Sequence, residues 1–306
     1  MIRVKNLVKH FGDLKAVDGI TFTVENGEIF GFLGPNGAGK TTTIRMLSCI
    51  IRPTSGNAYL NGYNILDNPM EIRSMVGILT ENPCLYERLT PVANLDFFGK
   101  LYDIPKTIRA TRIDEILEMF DLQDRKFEKV ETFSKGMKQK LALARSLLHD
   151  PQILFLDEPT SALDPKTAKG VRDYIKKLSE GGDKIIFICT HNLTEAEYLC
   201  DRVAVIDHGK IVGIGSPEEL SRDIWKGEQV EIAIKNYDSH IEQSLKQLNF
   251  IKNFEYQDHI LRIDVNDTSK DNPRIVETLV KSGAQIVSVE IKRHSLEDIY
   301  LNLVRD

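Results

Sequence analysis

Two spacings of apolar residues alternate along the first 220 positions of the chain. Short apolar runs bounded by turn residues predict strands over residues 20–25, 28–33, 76–80, 153–156 and 185–190. Helical spacing of apolar residues predicts helices over residues 40–51, 92–101, 108–120, 137–148 and 166–178. The strand, helix, strand order after residue 150 is typical of a buried parallel sheet, so we expect an α/β core.

The pattern changes twice along the chain. Residues 88–150 show helical spacing and no convincing strand, which predicts a helical insert. Residues 202–214 predict two strands around the turn Asp207-His208-Gly209-Lys210. Beyond residue 217, a strand, helix, strand, strand, helix, strand, helix order follows, with the second helix expected over residues 274–282. We therefore predict an α/β domain over residues 1–220 and a small ferredoxin-like α+β domain over residues 221–306.

Composition narrows the class of protein. The chain has 306 residues, of which 42% are hydrophobic and 28% charged, and this is ordinary for a globular protein of two domains. The net charge of −5 gives no overall positive field for nucleic acid or anionic lipid. The four cysteines form no close pair, no apolar leader opens the chain, and no apolar run approaches the roughly 20 residues that span a bilayer. We therefore expect the protein to reside in a reducing cytosol. If a membrane is involved, we expect another chain to cross it.

A glycine-rich segment from Gly34 to Thr41 joins a predicted strand to a predicted helix. It fits the pattern G-x-x-x-x-G-K-S/T, in which backbone N–H groups turn toward phosphate oxygens at a helix N-terminus. Lys40 would reach the β and γ phosphates, and the Thr41 hydroxyl would face Mg²⁺. A tight glycine turn with an exposed lysine is the alternative, but the flanking elements favour a site for a nucleoside triphosphate with magnesium. The predicted contacts are Gly34, Asn36, Gly37, Gly39, Lys40, Thr41 and Thr42.

Two acids, Asp157 and Glu158, follow the apolar run over residues 153–156. A buried strand that ends in this way delivers carboxylates to one edge of a sheet. Asp157 would hold Mg²⁺ through water, and Glu158 would orient or deprotonate the attacking water. An ordinary turn or helix start is the alternative, and the glycine-rich segment makes the catalytic interpretation the better one.

The order of further motifs resembles that of the ATP-binding cassette (ABC) ATPases, the nucleotide-binding subunits of membrane transporters. Phe133-Ser134-Lys135-Gly136-Met137 is similar to the family signature Leu-Ser-Gly-Gly-Gln in Ser134 and Gly136. Pro159, the segment Ser161-Ala162-Leu163-Asp164 and His191 resemble the stretch after the catalytic acid, the dimer-contact loop and the switch histidine. The resemblance covers residues 1 to about 220 and implies the P-loop NTPase cassette fold with ATP and Mg²⁺ as cofactors.

The resemblance implies catalytic roles for Glu158 and His191 and a stacking role on adenine for Phe11, with Val17 in the same nucleotide-binding set. Without the resemblance, Phe11 could simply be a core residue, and His191 could be an ordinary core or surface histidine. Ser134 could simply be a helix N-cap. In the family, however, the signature of one subunit grips the γ phosphate held by the lysine of the other, which implies a head-to-tail homodimer or paired cassette subunits with two composite sites.

Three residues depart from the family pattern. Glu81 stands where the family has glutamine, and we assign it with Thr41 and Asp157 to the metal site, although its charge lies near the phosphates. Lys135 replaces a glycine and Met137 replaces the glutamine of the signature. We expect ATP binding to be retained and leave the rate of hydrolysis open.

The stretches over residues 85–90 and 97–99 resemble the branch of cassettes that partner small ABC-2 type permeases, commonly exporters. That branch implies a transmembrane permease as partner, no nucleic acid, and a cytoplasmic location at the inner face of the membrane. Residues 81–98 are the candidate coupling surface, although core packing is the simpler expectation for Phe97 and Phe98. The alternatives are a soluble cassette ATPase acting on nucleic acid or the ribosome, and a C-terminal domain that binds a small regulatory ligand.

Overall fold

The computed structural model describes residues 1–161, 163–225, 227–292 and 294–304. The chain forms two compact units, Met1–Ile214 and Gly215–Asp306, each with its own hydrophobic core. The division lies slightly before the boundary predicted near residue 220. No helix within the described ranges is long and apolar enough to cross a membrane.

The first unit contains two sheets. An antiparallel sheet has the order β2-β1-β4-β5, with β1 (Ile2–Phe11), β2 (Leu14–Val24), β4 (Ser55–Leu60) and β5 (Tyr63–Asn64). A six-stranded sheet has the order β10-β9-β3-β8-β7-β6, with β3 (Ile29–Leu33), β6 (Val76–Leu79), β7 (Ile153–Asp157), β8 (Ile185–Thr190), β9 (Arg202–Asp207) and β10 (Lys210–Gly215). The predicted parallel α/β core is confirmed, since β6, β7, β8, β3 and β9 pair in parallel.

The centre of the six-stranded sheet is buried on both faces, as its continuous apolar runs require. Phe30, Phe32 and Phe155 pack around Phe187, with ring centroids 5.4 to 5.6 Å from the ring of Phe187. All four rings are fully buried. The parallel register pairs Leu33 with Thr190 and Asp157 with Cys189, so the carboxyl ends of β3, β7 and β8 meet at one edge.

The helices of the first unit are α1 (Lys40–Leu47), α2 (Pro69–Met75), α3 (Pro91–Leu101), α4 (Lys106–Met119), α5 (Lys135–Leu147), α6 (Pro165–Ser179) and α7 (Leu193–Leu199). Between α4 and α5 lie two 3₁₀ turns, Gln123–Arg125 and Val130–Thr132. Helix α1 is shorter than predicted because Cys49 adopts a left-handed φ of 58° and the chain closes back on the helix through Ile50 N–H and Arg45 O, 2.8 Å apart. Sequence spacing missed α2 and α7, which have only seven residues each.

The second unit has the predicted ferredoxin-like order. It contains α8 (Pro217–Trp225), β11 (Glu228–Ile234), α9 (Ser239–Lys246), β12 (Asn253–Gln257), β13 (Ile260–Val265), α10 (Thr268–Lys281), β14 (Ile286–Lys292) and α11 (Leu296–Leu303). Its antiparallel sheet has the order β12-β13-β11-β14. Alternate residues of β11 and β13, such as Val230 and Ile263, face the buried core.

The predicted start of α10 at residue 274 is wrong. Proline interrupts helices, so Pro273 favoured a later start, but the helix begins at Thr268 and continues through the proline. Asp267 caps it by accepting from Lys270 N–H, and the Glu228 carboxylate accepts from both the backbone N–H and the hydroxyl of Thr268. A residue 40 positions away therefore stabilises the early start.

Candidate active site

The glycine-rich loop places the start of α1 at the edge where β3, β7 and β8 end. Gly39 has a φ of 111°, and a Cβ there would lie 2.4 Å from the carbonyl oxygen of Ala16. A Cβ on Gly34 would lie 2.3 Å from the carbonyl oxygen of Ile206. Because only glycine fits at both positions, the loop can turn tightly and direct backbone N–H groups outward. Among the residues that the structure describes, no side chain caps the N-terminus of α1, which leaves it suited to an anion.

The Lys40 side chain folds back onto the glycine-rich loop. Its ammonium donates to the carbonyl oxygens of Gly34 and Pro35, at 2.6 and 3.1 Å, and lies 3.9 Å from Oε1 of Glu158. The side chain is only 7% exposed. A buried cation that faces the mouth of a loop of N–H groups is an arrangement that binds phosphate oxygens.

Thr41 and Asp157 meet across the same edge. The Thr41 hydroxyl donates to Oδ2 of Asp157 at 2.8 Å. Burial raises the pKa of Asp157, the hydrogen bond from Thr41 opposes the rise, and the charges of Glu158 and Glu81 add to it. A bound cation would relieve this concentration of negative charge.

The oxygen donors present fit magnesium. Thr41, Asp157 and Glu81 supply a hydroxyl and two carboxylates, which are ligands that Mg²⁺ prefers, and all three line one cavity. Within the described part of the chain, no cluster of three His, Cys, Asp or Glu could hold a metal ion by itself. A magnesium ion at this edge would therefore depend on water and substrate phosphates for most of its ligands.

Glu158 is held in an unusual conformation. Its φ of 52° lies in the left-handed region, which costs roughly 1–2 kcal/mol for a residue other than glycine. Its backbone N–H donates to the Cys189 carbonyl oxygen at 2.8 Å. Oε1 accepts from the backbone N–H of His191 at 3.1 Å and lies 2.7 Å from Nδ1 of that ring. The carboxylate is thereby fixed at the mouth of the cavity beside Lys40.

These groups surround a cavity of about 420 Å³. The predicted residues that line it are Phe11, Asn36, Gly37, Gly39, Lys40, Thr41, Thr42, Glu81, Asp157, Glu158 and His191. Leu14 and Ala16, which the sequence did not single out, also line it, as do Pro35 of the glycine-rich segment and Ser161 of the segment that resembles the dimer-contact loop. His191 is exposed rather than in the core, as its position after β8 implies.

Val17 and Gly34 support the cavity without lining it. Val17 is fully buried, and its Cγ2 would lie 3.3 Å from a Cβ on Gly39, so it packs beneath the loop. Gly34 packs against Ile206. Ala162, part of the segment that resembles the dimer-contact loop, lies outside the described residues.

Ser134 and Gly136 lie at the start of α5, outside the cavity of their own chain. Ser134 is exposed, and its hydroxyl accepts from the backbone N–H of Met137 at 3.3 Å. The residue is therefore a helix N-cap in this chain and lies apart from the cavity that Lys40 lines.

Phe11 lies on the rim of the cavity and not in the core. It is 50% exposed and pairs with Leu14, itself 65% exposed, across the hairpin between β1 and β2. Lys9 Nζ lies 5.0 Å from the centroid of the Phe11 ring. The two apolar side chains offer a surface on which a flat base can stack. The short turn Phe11-Gly12-Asp13-Leu14 is the sequence signal that would have identified Leu14.

An aromatic cluster of Tyr86, Phe97 and Phe98 lies within residues 81–98, with neighbouring ring centroids 5.1 to 6.0 Å apart. Phe97 is 38% exposed, so the expectation of core packing is wrong for that residue, and Phe98 is half-buried beneath the Arg145 guanidinium. Lys138 of α5 pairs with Glu87 at 2.5 Å, which joins this segment to the helix that begins at Ser134.

Comparisons with known proteins agree with this geometry. Residues 17–161 match the family model described as "ABC transporter". Over 309 residues the chain is 38% identical to the bacitracin transport ATP-binding protein BcrA of Bacillus licheniformis, covering 99% of this chain and 97% of the relative. The chain belongs to the ATP-binding proteins of ABC transporters. It is thus an ATP-binding ATPase that powers transport.

The second unit belongs with this family too. Residues 215–304 match the family model described as "ATP-binding protein DrrA1-3-like, C-terminal domain". This ABC ATP-binding protein is 33% identical over 306 residues to the daunorubicin resistance ATP-binding protein DrrA3 of Streptomyces coeruleorubidus, covering 100% of this chain and 96% of the relative. It is 32% identical over 307 residues to the linearmycin resistance ATP-binding protein LnrL of Bacillus subtilis (strain 168), covering 99% and 98%.

Solved cassettes share the fold of the first unit. One is described as the ATP-binding subunit of an ABC transporter, with a TM-score of 0.68, 30% identity, and coverage of 74% of this chain and 93% of its own. Another is a dimeric post-hydrolysis state of the cassette MJ0796 bound to ADP and Pi, with a TM-score of 0.65, 27% identity, and coverage of 71% and 98%. The relatives are named for transport and resistance, so nothing here favours the alternative of an ATPase acting on nucleic acid or the ribosome.

Proposed function

We propose that this ABC ATP-binding protein works as the cytoplasmic ATPase of an exporter, in which two copies close around two ATP molecules and drive a separate membrane permease. The observation that carries the proposal is the cavity at the start of α1. It brings Lys40, Thr41 and Asp157 together with Glu158, while the signature residue Ser134 lies elsewhere on the surface.

Hydrolysis needs a base beside the γ phosphate, and Glu158 is the group that we assign to this role. Its carboxylate lies near Lys40 and is oriented by the backbone N–H of His191. It would accept a proton from the attacking water, and the His191 ring beside it would contact the γ phosphate. Magnesium, held by Thr41 and Asp157 with Glu81 at the same edge, would supply charge neutralisation at the phosphates.

The dimer would complete the site. The N-terminus of α5 is exposed and carries a serine hydroxyl, which suits it to an anion presented by another molecule. The solved cassette bound to ADP and Pi, which is dimeric, supports this arrangement. In a two-fold dimer, Ser134 and Gly136 of each copy would face the nucleotide bound at Lys40 of the other.

The names of the relatives favour transport out of the cell, with an antibiotic-like compound as the substrate. Their names refer to bacitracin transport and to linearmycin and daunorubicin resistance. These proteins match this chain over nearly its whole length, including the second unit. We infer that this chain serves an efflux system of the same kind, at the inner face of the membrane through its permease.

The aromatic cluster of Tyr86, Phe97 and Phe98 is the surface that we assign to the permease. Exposed aromatic side chains next to an arginine are typical of protein interfaces. The ion pair between Lys138 and Glu87 connects this surface to the signature helix, so closure of the dimer can be passed to it. ATP drives the change only by binding the closed state better than the open one.

The variant Glu158→Gln tests the proposal. The amide cannot accept the proton, so we expect hydrolysis to fall by about 100-fold or more, with ATP affinity retained. Sedimentation of the purified chain should show an ATP-dependent dimer that persists. Glu197→Gln, which removes an exposed carboxylate on α7, is the matched control. A Glu158→Gln chain that binds ATP and stays monomeric would refute the composite site.

A further inference from the structure

A buried carboxylate lies behind the catalytic cavity. Glu195 on α7 is only 2% exposed and does not line the cavity. Its Oε1 accepts from the hydroxyl of Thr160 at 2.6 Å. Burial raises the pKa of Glu195, and hydrogen bonds from Thr160 and Thr190 oppose that rise. A buried carboxylate is costly unless its partners satisfy it, so these two hydroxyls stabilise Glu195 where it lies.

Thr190 links Glu195 to Glu158. Its side chain is fully buried and hydrogen-bonds Glu195, and its Oγ1 also lies 3.4 Å from Oε2 of Glu158. Because one hydroxyl has a single proton to donate, Thr190 can donate to only one of the two carboxylates at a time, and in the structure it donates to Glu158. The backbone N–H of Asn192 donates to the same Oγ1 at 3.0 Å, which fixes its position. The orientation of Glu158 is therefore coupled to that of Glu195.

Thr160 provides a second link, along the chain. It lies two residues after Glu158, whose left-handed φ of 52° persists only if the surrounding structure holds it. The Thr160 hydroxyl fixes the loop to Glu195, and the carbonyl of Pro159 accepts from Gln139 of α5 at 3.0 Å. The loop after Glu158 is thus attached at two points, one to α7 and one to α5.

We propose that Glu195 is a positioning residue for ATP hydrolysis, which holds Glu158 in its reactive orientation through Thr160 and Thr190. The inference rests on the proposed role of Glu158 as the base. Glu195 contacts neither the cavity nor the nucleotide site, so its removal should slow the reaction without weakening ATP binding. A carboxylate misplaced by about 1 Å can cost as much as 100-fold in rate.

The test uses purified full-length chain and measures kcat, KM for ATP, ATP affinity and Tm. We expect Glu195→Ala to lower kcat by about 10- to 100-fold while ATP affinity changes less than about twofold. Thr160→Val, which keeps the shape of the side chain and removes its hydroxyl, should lower kcat in the same direction. Glu195→Gln should retain more activity than Glu195→Ala because its amide oxygen still accepts from Thr160.

Tyr198→Phe is the matched control on the same helix. The Tyr198 hydroxyl donates to Asp173 of α6 at 3.1 Å, so its loss removes a tie of α7 without touching Thr160, Thr190 or Glu158. We expect its kcat to match that of the unaltered chain. A loss in Tyr198→Phe as large as that in Glu195→Ala would assign the effect to the stability of α7 and overturn the proposal.

A double variant decides whether Glu195 acts through Glu158. In the Glu158→Gln background, Glu195→Ala should cause no further loss, since groups that act as a unit are not additive. Full additivity would overturn the proposal, as would an unchanged kcat in Glu195→Ala. So would equal losses of kcat, ATP affinity and Tm in Glu195→Ala and Glu195→Gln. If Glu158→Gln itself leaves hydrolysis unchanged, the proposed role of Glu158 fails instead.

Discussion

Two helix N-termini in the first unit present backbone N–H groups, and they differ in how these are satisfied. Helix α1 is preceded by Gly39, with a φ of 111° and no side-chain cap, and it opens into a cavity with Lys40. Helix α5 is preceded by Ser134, whose hydroxyl already accepts from Met137 N–H. The first is an uncapped helix start that faces a cavity of its own chain, and the second is a capped and exposed helix start.

The difference between the two helix starts is what the proposed dimer would use. An uncapped helix start with a buried lysine costs stability unless an anion binds, so the α1 site is made for a tightly held ligand. The α5 start is stable without a ligand, and in the proposed dimer it would meet one across the interface. The predictions below test whether the two sites depend on ATP in these different ways.

The largest effect is expected at Lys40. Its buried ammonium is the charge that we assign to the phosphates, and loss of hydrogen bonds to charged groups costs about 1.5–3 kcal/mol each. We therefore expect Lys40→Ala to weaken ATP binding by about 100-fold or more, as equilibrium binding would measure. Lys169→Ala, at an exposed position on α6, should bind ATP normally. Normal affinity in Lys40→Ala would contradict the assignment of the α1 site.

At Asp157, in the α1 site, we expect the ionised carboxylate to lower the stability of the nucleotide-free fold and yet to be needed for hydrolysis. Its pKa is raised in the folded protein, so the ionised carboxylate destabilises the nucleotide-free fold above the pH where the unfolded chain titrates. We expect Asp157→Asn to raise Tm near pH 7, with a gain that disappears below about pH 4, where the carboxyl is protonated in both states.

The same substitution should slow magnesium-dependent hydrolysis by about 100-fold, because a metal ligand is lost. Thermal melts at several pH values and ATPase assays measure the two effects. A lower Tm at neutral pH would show that Asp157 stabilises the nucleotide-free fold rather than straining it.

His149, two residues after the end of α5, tests the end of this helix that lies opposite Ser134. Burial lowers the pKa of His149 to about 4, with Val76 O 3.0 Å from Nε2. The unfolded chain therefore takes up a proton first as pH falls below about 6.5, and stability is lost between that pH and about 4. His149→Gln removes this dependence, and the unaltered chain should lose about 2 kcal/mol more by pH 5.

Denaturant melts at pH 7.5 and pH 5 measure this loss, and His208→Asn, at an exposed histidine, should behave like the unaltered chain. ATP-dependent pairing at pH 7.5 should be unaffected by His149→Gln. Pairing that fails in this variant would mean that the start of α5 cannot be separated from the rest of the helix.

Ser134 should show the smallest effect on stability and the most specific one on pairing. Removing a serine cap costs about 1 kcal/mol, so Ser134→Ala and Ser295→Ala at α11 should lose similar stability. Only Ser134→Ala should weaken ATP-dependent dimerisation, by about 100-fold, since a dimer with two composite sites loses two hydrogen bonds to charged groups. Equal pairing in the two variants would leave Ser134 as an ordinary helix cap.

The parts that sequence could predict are those set by neighbouring residues. The glycine-rich loop was identifiable because Gly39 and Lys40 are adjacent to a strand and a helix. The parallel register then placed Asp157 and His191 at one edge, since Asp157 ends one buried strand and His191 follows the next. The local sequence pattern gave a wrong helix start where a distant residue stabilises the structure, as Glu228 does at the start of α10.

Some site residues gave no local signal. The link from Thr160 to Glu195 joins residues 35 positions apart, and the link from Gln139 to Pro159 joins two separate motifs. Val17 was placed in the nucleotide set but packs beneath the loop, because alternate residues of β2 face opposite ways. Ala16 lines the cavity instead.

Complementation between two inactive chains tests the composite dimer most directly. Lys40→Ala removes the α1 site, and Ser134→Glu places a negative charge at the α5 site, so each chain alone should fail to hydrolyse ATP. A mixed dimer contains one site built from the intact Lys40 of one copy and the intact Ser134 of the other. An equimolar mixture should therefore recover hydrolysis, to about a quarter of the unaltered rate if pairing is random and sites act independently. Mixed dimers that form and bind ATP yet hydrolyse no more than the separate chains would contradict the account.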